Sequence, residues 1–341
     1  MKKLLLSVIL IAFSFHIFSQ NCTQSLRSAE RAYAEGRIAE IPTILELCLK
    51  GGFTKAERIR AYRLLTLSYL YQYETSSAEQ AMLSFLKEIP DYKIDPTDPA
   101  PFVKLYKRFR TTPLFLVGLE SGINFSQPRA FAGRSVLGST YAHYTSKLGF
   151  QAGATGEIAI NSKFSAEMGL QYFLTRFQST VTGGEDNFAK STVEVTQSQI
   201  GFQAMGKYEV WRKQDFSVFV NMGLSSFWIA DLTRRISQEA SRGSLPSLTP
   251  NGSSIHTEHK NLTYSLITGV GTKYKLGKNY VVFRLQYWWG LTNQTVNPWD
   301  EEENYLDPFD SGFVPDDYRT NNLTFSVAYL FPVYKPKLIK K

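Results

Sequence analysis

The sequence predicts a membrane all-β fold, an eight-stranded antiparallel transmembrane β-barrel, preceded by a small all-α domain. Three observations carry this. Eight stretches beyond residue 112 alternate apolar and polar residues with a period of two, giving each strand one greasy and one polar face. The connections between them alternate long and short, as they do when a closed barrel has tight turns at one rim and loops at the other. Before residue 112 the period is helical, and no apolar run there is long enough to cross a bilayer as a helix.

The 341-residue chain opens MKKLLLSVILIAFSFHIFSQ, with Lys2 and Lys3 ahead of an apolar run that ends at Ser19 and Gln20. Residues 1–20 therefore read as a secretory signal peptide, the run being shorter than the roughly 20 apolar residues of a helical span. Export combined with a barrel points to the bacterial outer membrane. A lipid-modified Cys22 is not expected, because Asn21 is not the small residue that normally precedes such a cysteine. The only two cysteines, Cys22 and Cys48, fall early in the mature chain. In an oxidising compartment they can pair, closing a loop worth about 3 kcal/mol; the alternative is two buried thiols.

The formal net charge is +8 and the pI about 9.2, which raises nucleic acid as a partner. The distribution argues against it. Basic residues gather at the short connections and in a tail over 335–341 with Lys335, Lys337, Lys340 and Lys341, whereas acids gather in one long connection. A two-sided membrane protein explains that split, and no nucleic-acid partner is expected.

Residues 21–112 predict a helical domain. The segment 25–36 ends on Gly36, and 38–49 presents Ile41, Ile44 and Leu45 at helical spacing. Segment 56–73 places Ala61, Leu64, Leu65 and Tyr69 similarly, 77–89 closes at Pro90, and 101–110 makes a last short helix. The phrases AERAYAEGRIAEIPTILELCL and AYRLLTLSYLYQYETSSAEQAMLSFLKEIPDY resemble tetratricopeptide units, with small residues where helices touch and a proline after the second helix. That resemblance implies a surface for a protein partner, and two units are too few to stand alone without a disulfide or a docking surface. Prolines at 96, 99 and 101 make a stiff link.

The barrel domain reads as 113–334, with strands over 114–125, 147–160, 164–177, 193–210, 216–228, 262–276, 279–292 and 323–331. The seventh, NYVVFRLQYWWGLT, sets Val281, Phe283, Leu285, Tyr287 and Trp289 against Val282, Arg284, Gln286 and Trp288. Long connections cover 126–146, 178–192, 229–261 and 293–322; short ones cover 161–163, 211–215 and 277–278. In outer-membrane barrels short turns are periplasmic, and an even strand number leaves both ends there, so the helical domain and the C-terminus are expected in the periplasm.

With the signal peptide ending in Ser-Gln, the alternating strands and the aromatic-ended last strand LTFSVAYLF, the chain resembles the small outer-membrane β-barrel proteins of Bacteroidota, OmpA-like or PorT-like, with an N-terminal helical extension. The resemblance implies location more than activity. It departs from the pattern in that 332–341 follow Phe331, so an assembly signal would be read internally.

Four groups of residues are candidates for function. Glu120, Glu157, Glu167, Lys273 and Arg284 point inward at similar depth and form a lumen charge network, a plug whose functional alternative is a gate or proton relay. Phe164, Tyr208, Phe216, Tyr274 and Phe331 at one height, and Phe125, Trp228 and Trp289 at the other, form membrane-interface girdles. The last long connection concentrates Asp300, Glu301, Glu302, Glu303, Asp307 and Asp310, weak candidates for divalent ions in a spacing that fits no defined metal loop. His143, near Ser146, and His256 with His259 lie in or beside long connections without an acid–base partner set.

The expectation is therefore a non-enzymatic barrel with no cofactor and no defined metal site. It anchors a periplasmic interaction module that binds a protein partner through 21–112 in an assembly or secretion complex, and its other partners are outer-membrane lipid and lipopolysaccharide. The alternatives are an enzyme acting on lipid A at the external mouth and a small diffusion channel. Lys104, Lys107, Arg108 and Arg110, at the junction, suit anionic headgroups.

Overall fold

The computed structural model describes residues 21–132, 142–183, 189–240, 261–295 and 316–339. The signal peptide expected over 1–20, the acidic cluster from Asp300 to Asp310, His256 and His259 lie outside the described residues. The chain divides into two compact units, one of Met1–Pro113 with Tyr334–Lys341 and one of Leu114–Val333.

The first unit contains helix α1 over 21–34, a 3-10 turn at Ile38–Glu40, and helices α2 (Ile41–Leu49), α3 (Lys55–Tyr71), α4 (Thr75–Glu88) and α5 (Ala100–Tyr106). Helix α3 starts on a capping box: Thr54 Oγ1 accepts from the Glu57 backbone N–H while the Glu57 carboxylate accepts from the Thr54 N–H at 2.9 Å. Small residues Ala29, Ala32, Ala61 and Ala78 are fully closed to solvent, so the helices approach closely around Leu26, Leu45, Met82, Phe85 and Phe102. Cys22 and Cys48 are joined by a disulfide that ties α1 to α2. The proline-rich link is fixed by Asp98, which accepts from Tyr92 Oη at 2.6 Å and the Asp95 N–H at 2.8 Å and pairs with Arg63 at 3.2 Å. No helix among the described residues is long and apolar enough to cross a membrane.

The tail does not stand apart as the sequence reading had it. After α5 a short strand β1 (Phe109–Arg110) pairs antiparallel with β10 (Lys337–Leu338), and Leu338 packs on the helical core. Its apolar side chain supplies the reason: burying it on the core removes it from water while Lys335 and Lys337 remain exposed.

The second unit is a closed barrel of β2 (Phe115–Ala132), β3 (His143–Ala159), β4 (Phe164–Gly183), β5 (Ala189–Lys213), β6 (Phe216–Ala240), β7 (Leu262–Leu276), β8 (Asn279–Gly290) and β9 (Asp317–Val333). Neighbours in sequence pair antiparallel, and β9 returns to β2 with Phe115 opposite Val333. Short turns define one rim; at the two-residue link from β7 to β8, Gly277 takes φ +62°, where a side chain would be strained.

Strands β4, β5 and β6 are longer than the alternation suggested, the last two being 25 residues each. Most of 178–192, expected as a loop, is strand. The alternation persists there but its polarity inverts. In the near half of β4 polar Glu167 and Gln171 face inward and apolar Met168 and Leu170 outward. Farther along, Phe177, Val193, Val195 and Leu232 are buried inside while Arg176, Gln178, Glu194 and Thr196 face outward. Outside the bilayer a strand meets water on its outer face, so the barrel there packs like a soluble protein.

The lumen ion network as candidate functional site

Strand β8 crosses four successive layers of the lumen. From the turn rim inward Val282, Arg284, Gln286 and Trp288 are all buried. Val282 belongs to an apolar layer with Leu116, Phe219, Ala328 and Leu330. Arg284 lies in an ionic layer, Gln286 in an amide layer and Trp288 in an aromatic one.

The ionic layer is a chain of alternating acids and bases. Arg284 donates from Nη1 to Glu120 at 2.5 Å and from Nη2 to Glu167 at 2.8 Å. Glu167 also pairs with Lys207, which reaches Glu157 at 3.0 Å, and Glu157 in turn pairs with Lys273. Glu120 further accepts from Ser326 Oγ at 2.5 Å and from Gln171 Nε2 at 3.1 Å. The structure thus brings together all five residues expected in the network and adds Lys207, giving three acids and three bases.

Register explains why the sixth member is required. Glu157 and Glu167 are direct cross-strand partners on β3 and β4, a like-charge pair that destabilises a sheet unless cations lie against it. Lys207 is paired with Ser165, two residues from Glu167, and touches both carboxylates. Its ammonium also lies 4.9 Å from the centre of the Phe219 ring. Space for these long side chains comes from interior glycines. A Cβ on Gly271 would meet Phe219 at 2.4 Å, and one on Gly153 would meet the Gln171 amide at 2.5 Å.

Beyond the amide layer lies a second closure, which the sequence reading did not identify. Phe173, Phe227 and Trp288 form a ring cluster with centroid separations of 5.0, 5.0 and 5.8 Å, packed with Met205 and Ile267. The Trp288 indole N–H is satisfied by Thr324 at 3.1 Å. Strand parity carried the signal: Phe173 and Phe227 share the inward parity of Gln171 and Ser225.

On the outer wall the aromatic residues fall at two heights. Near the turn rim Phe164 stands opposite Tyr208, with ring centres 4.8 Å apart, and Phe216 stands opposite Tyr274. Phe331 shares that rim, with Tyr329 at 5.0 Å. Phe125, Trp228 and Trp289 are exposed toward the other rim. Phe216 and Trp228 lie twelve residues apart on β6, a rise of roughly 28 Å for a strand tilted by 45°. That matches the apolar band of outer-membrane barrels, about 25 Å tall.

His143 is exposed at the start of β3, and Ser146 lies three residues on along the same extended strand, which sends the two side chains to opposite faces. Among the described residues no three His, Cys, Asp or Glu side chains cluster as metal ligands.

An eight-stranded antiparallel barrel with a filled polar lumen and an apolar, aromatic-edged outer wall is a membrane-spanning barrel of the outer-membrane type. The chain belongs to the outer membrane protein beta-barrel domain family, whose model matches residues 109–296, more than half of its length. Its barrel is therefore a bacterial outer-membrane barrel. No curated protein matches the chain in sequence. Among solved structures it is similar to the outer membrane protein OprG from Pseudomonas aeruginosa (12% identity over 65% of this chain and 98% of that one, TM-score 0.37). It is also similar to the attachment invasion locus protein Ail of Yersinia pestis (11% identity, 63% and 98%, TM-score 0.27). A third is the outer membrane enzyme PagL (10% identity, 63% and 99%, TM-score 0.27). Such likenesses concern fold alone.

Proposed function

We propose that the protein is a non-enzymatic outer-membrane anchor whose barrel holds a helical interaction module in the periplasm, within an envelope assembly or secretion complex. The observation that supports this most is the double closure of the lumen. An ionic layer and an aromatic layer in series argue against conduction through the lumen, which favours the helical unit as the working surface. The basic short turns, with Lys163, Arg212, Lys213 and Lys278, favour a periplasmic turn rim. The tetratricopeptide-like phrases and buried alanines of the helices favour a protein partner. An origin in Bacteroidota rests on the Ser-Gln ending of the signal sequence and the LTFSVAYLF strand.

The test places photoreactive residues in the full chain, in cells, at Leu47 and Tyr73, which are 80% and 92% exposed on the helical unit, and at His143 on the barrel. The proposal expects one reproducible protein adduct from Leu47 or Tyr73 and none from His143. Lipid A whose acylation changes when the gene is deleted, with no adduct from the helical unit, contradicts it.

A further inference from the structure

The pairing of β1 with β10 joins two basic segments that are far apart in sequence. Arg110 stands opposite Lys337 and Phe109 opposite Leu338. The Ile339 N–H donates to the Arg108 carbonyl at 2.8 Å, and Arg110 Nη2 donates to the Lys335 carbonyl at 3.3 Å across 225 residues of sequence. Lys104 and Lys107 lie within four residues of Arg108, on α5 and at its C-cap. Six cations are thereby collected on one part of the helical unit, and neither 100–113 nor 334–339 contains an Asp or Glu.

Their charge is largely unanswered. Arg108 pairs with Glu79 at 2.8 Å. Lys104, Lys107, Arg110, Lys335 and Lys337 make no ion pair among the described residues, and the buried Arg110 Nε has no hydrogen-bond partner. Elsewhere in the same unit basic residues are commonly matched, Arg58 with Glu88, Arg60 with Glu30 and Arg63 with Asp98. Ile339 is 52% exposed beside the cations, and with Arg110, Lys337 and Leu338 it lines a shallow depression.

Chain length supplies the counter-surface. Arg110 is four residues from Leu114 and Lys335 two from Val333, the two ends of the barrel unit. At no more than about 3.6 Å per residue, both stay within roughly 15 Å of a wall embedded in lipid. Like charges held together by the fold repel one another unless an opposite charge faces them. At that distance the anionic surface is the phosphate-bearing headgroup layer, with the isoleucine suited to its apolar edge.

We propose that residues 104–110 and 335–339 form one composite site for anionic phospholipid headgroups, holding the helical unit against the membrane that the barrel crosses. The segments act together because β10 is hydrogen-bonded to β1. The proposal is independent of whether the helical unit recruits a protein.

The test uses the full chain reconstituted into vesicles of phosphatidylcholine alone or of phosphatidylcholine with an equal part of phosphatidylglycerol. Lysines are acetylated with neutral acetic anhydride and read by peptide mass spectrometry. The expected result is labelling of Lys104, Lys107, Lys335 and Lys337 slowed at least about fivefold by the anionic lipid, a factor typical of one basic residue at such a surface. Lys87, in the same unit, should be unaffected, and the difference should vanish at 1 M salt, where screening acts over about 3 Å. In the Lys335→Glu/Lys337→Glu variant, Lys104 and Lys107 should lose their protection while the barrel keeps its heat-dependent gel mobility. Equal labelling in the two lipids overturns the proposal. So does slowing seen only in native outer membranes, which would assign the site to an acidic protein. Unchanged protection of Lys104 and Lys107 in the variant overturns the composite surface.

Discussion

Arg284 has a fully buried side chain and answers two carboxylates at once. Removing one partner of a buried charge set leaves the others uncompensated, at a typical cost of 3–5 kcal/mol. Arg284→Met should therefore lower the temperature of the barrel's gel-mobility transition markedly. Adding Glu120→Gln should restore much of it, because Glu157 and Glu167 then face Lys207 and Lys273 in equal number; a double variant as unstable as the single one would contradict the network. Strand parity made Glu120, Glu157, Glu167, Lys273 and Arg284 visible in the sequence, and it put Lys207 on the inward face too. Only the cross-strand register, with Glu157 opposite Glu167, shows that Lys207 is needed. In the helical unit the Glu57 carboxylate accepts from Thr23 Oγ1 at 2.7 Å and from the Thr54 N–H, and these bonds hold it below the usual carboxylate range. Its folded pKa being lower than its unfolded one, the stability it contributes is fully present above an unfolded pKa of about 4.3 and is lost as pH falls through the folded value. Glu57→Gln should flatten that acid loss in hydrogen exchange of α3 and lower protection at neutral pH. An unchanged acid limb would contradict the assignment.

Among the elements, β8 was the most legible, because its outer face is uniformly apolar and its inner face carries Arg284 and Gln286 between Val282 and Trp288. The far halves of β4, β5 and β6 were the least legible. Their period is intact, but past the aromatic rim the polar and apolar faces exchange, so a search for greasy outer faces stops near Phe177. The structure makes this difference measurable. Met222 faces lipid midway between Phe216 and Trp228, whereas Thr196 faces outward on the extension. Met222→Arg should destabilise the folded barrel in lipid by about 2–4 kcal/mol. Thr196→Arg should stay within about 0.5 kcal/mol, as exposed surface changes do. Equal costs in vesicle-based unfolding titrations would contradict the placement of the membrane band. The strand β10 was illegible for another reason: two residues carry too little pattern, and its partner lies at the other end of the chain.

For the molecule as a whole, the sequence shows a division into helical and barrel segments through the change of period near residue 112, and the family match places the barrel in the outer membrane. What it did not show is how thoroughly the barrel is filled. Ionic pairs were foreseeable, but the aromatic closure of Phe173, Phe227 and Trp288 required three strands in register. The proposed anchoring role rests on these two closures in series, and planar-bilayer recording of the purified full chain tests it most directly. It predicts no stepwise conductance at neutral pH in the wild type, and none in Arg284→Met, where the aromatic layer still seals the lumen. Discrete, reproducible conductance steps from the wild-type protein would contradict it and make the barrel a channel.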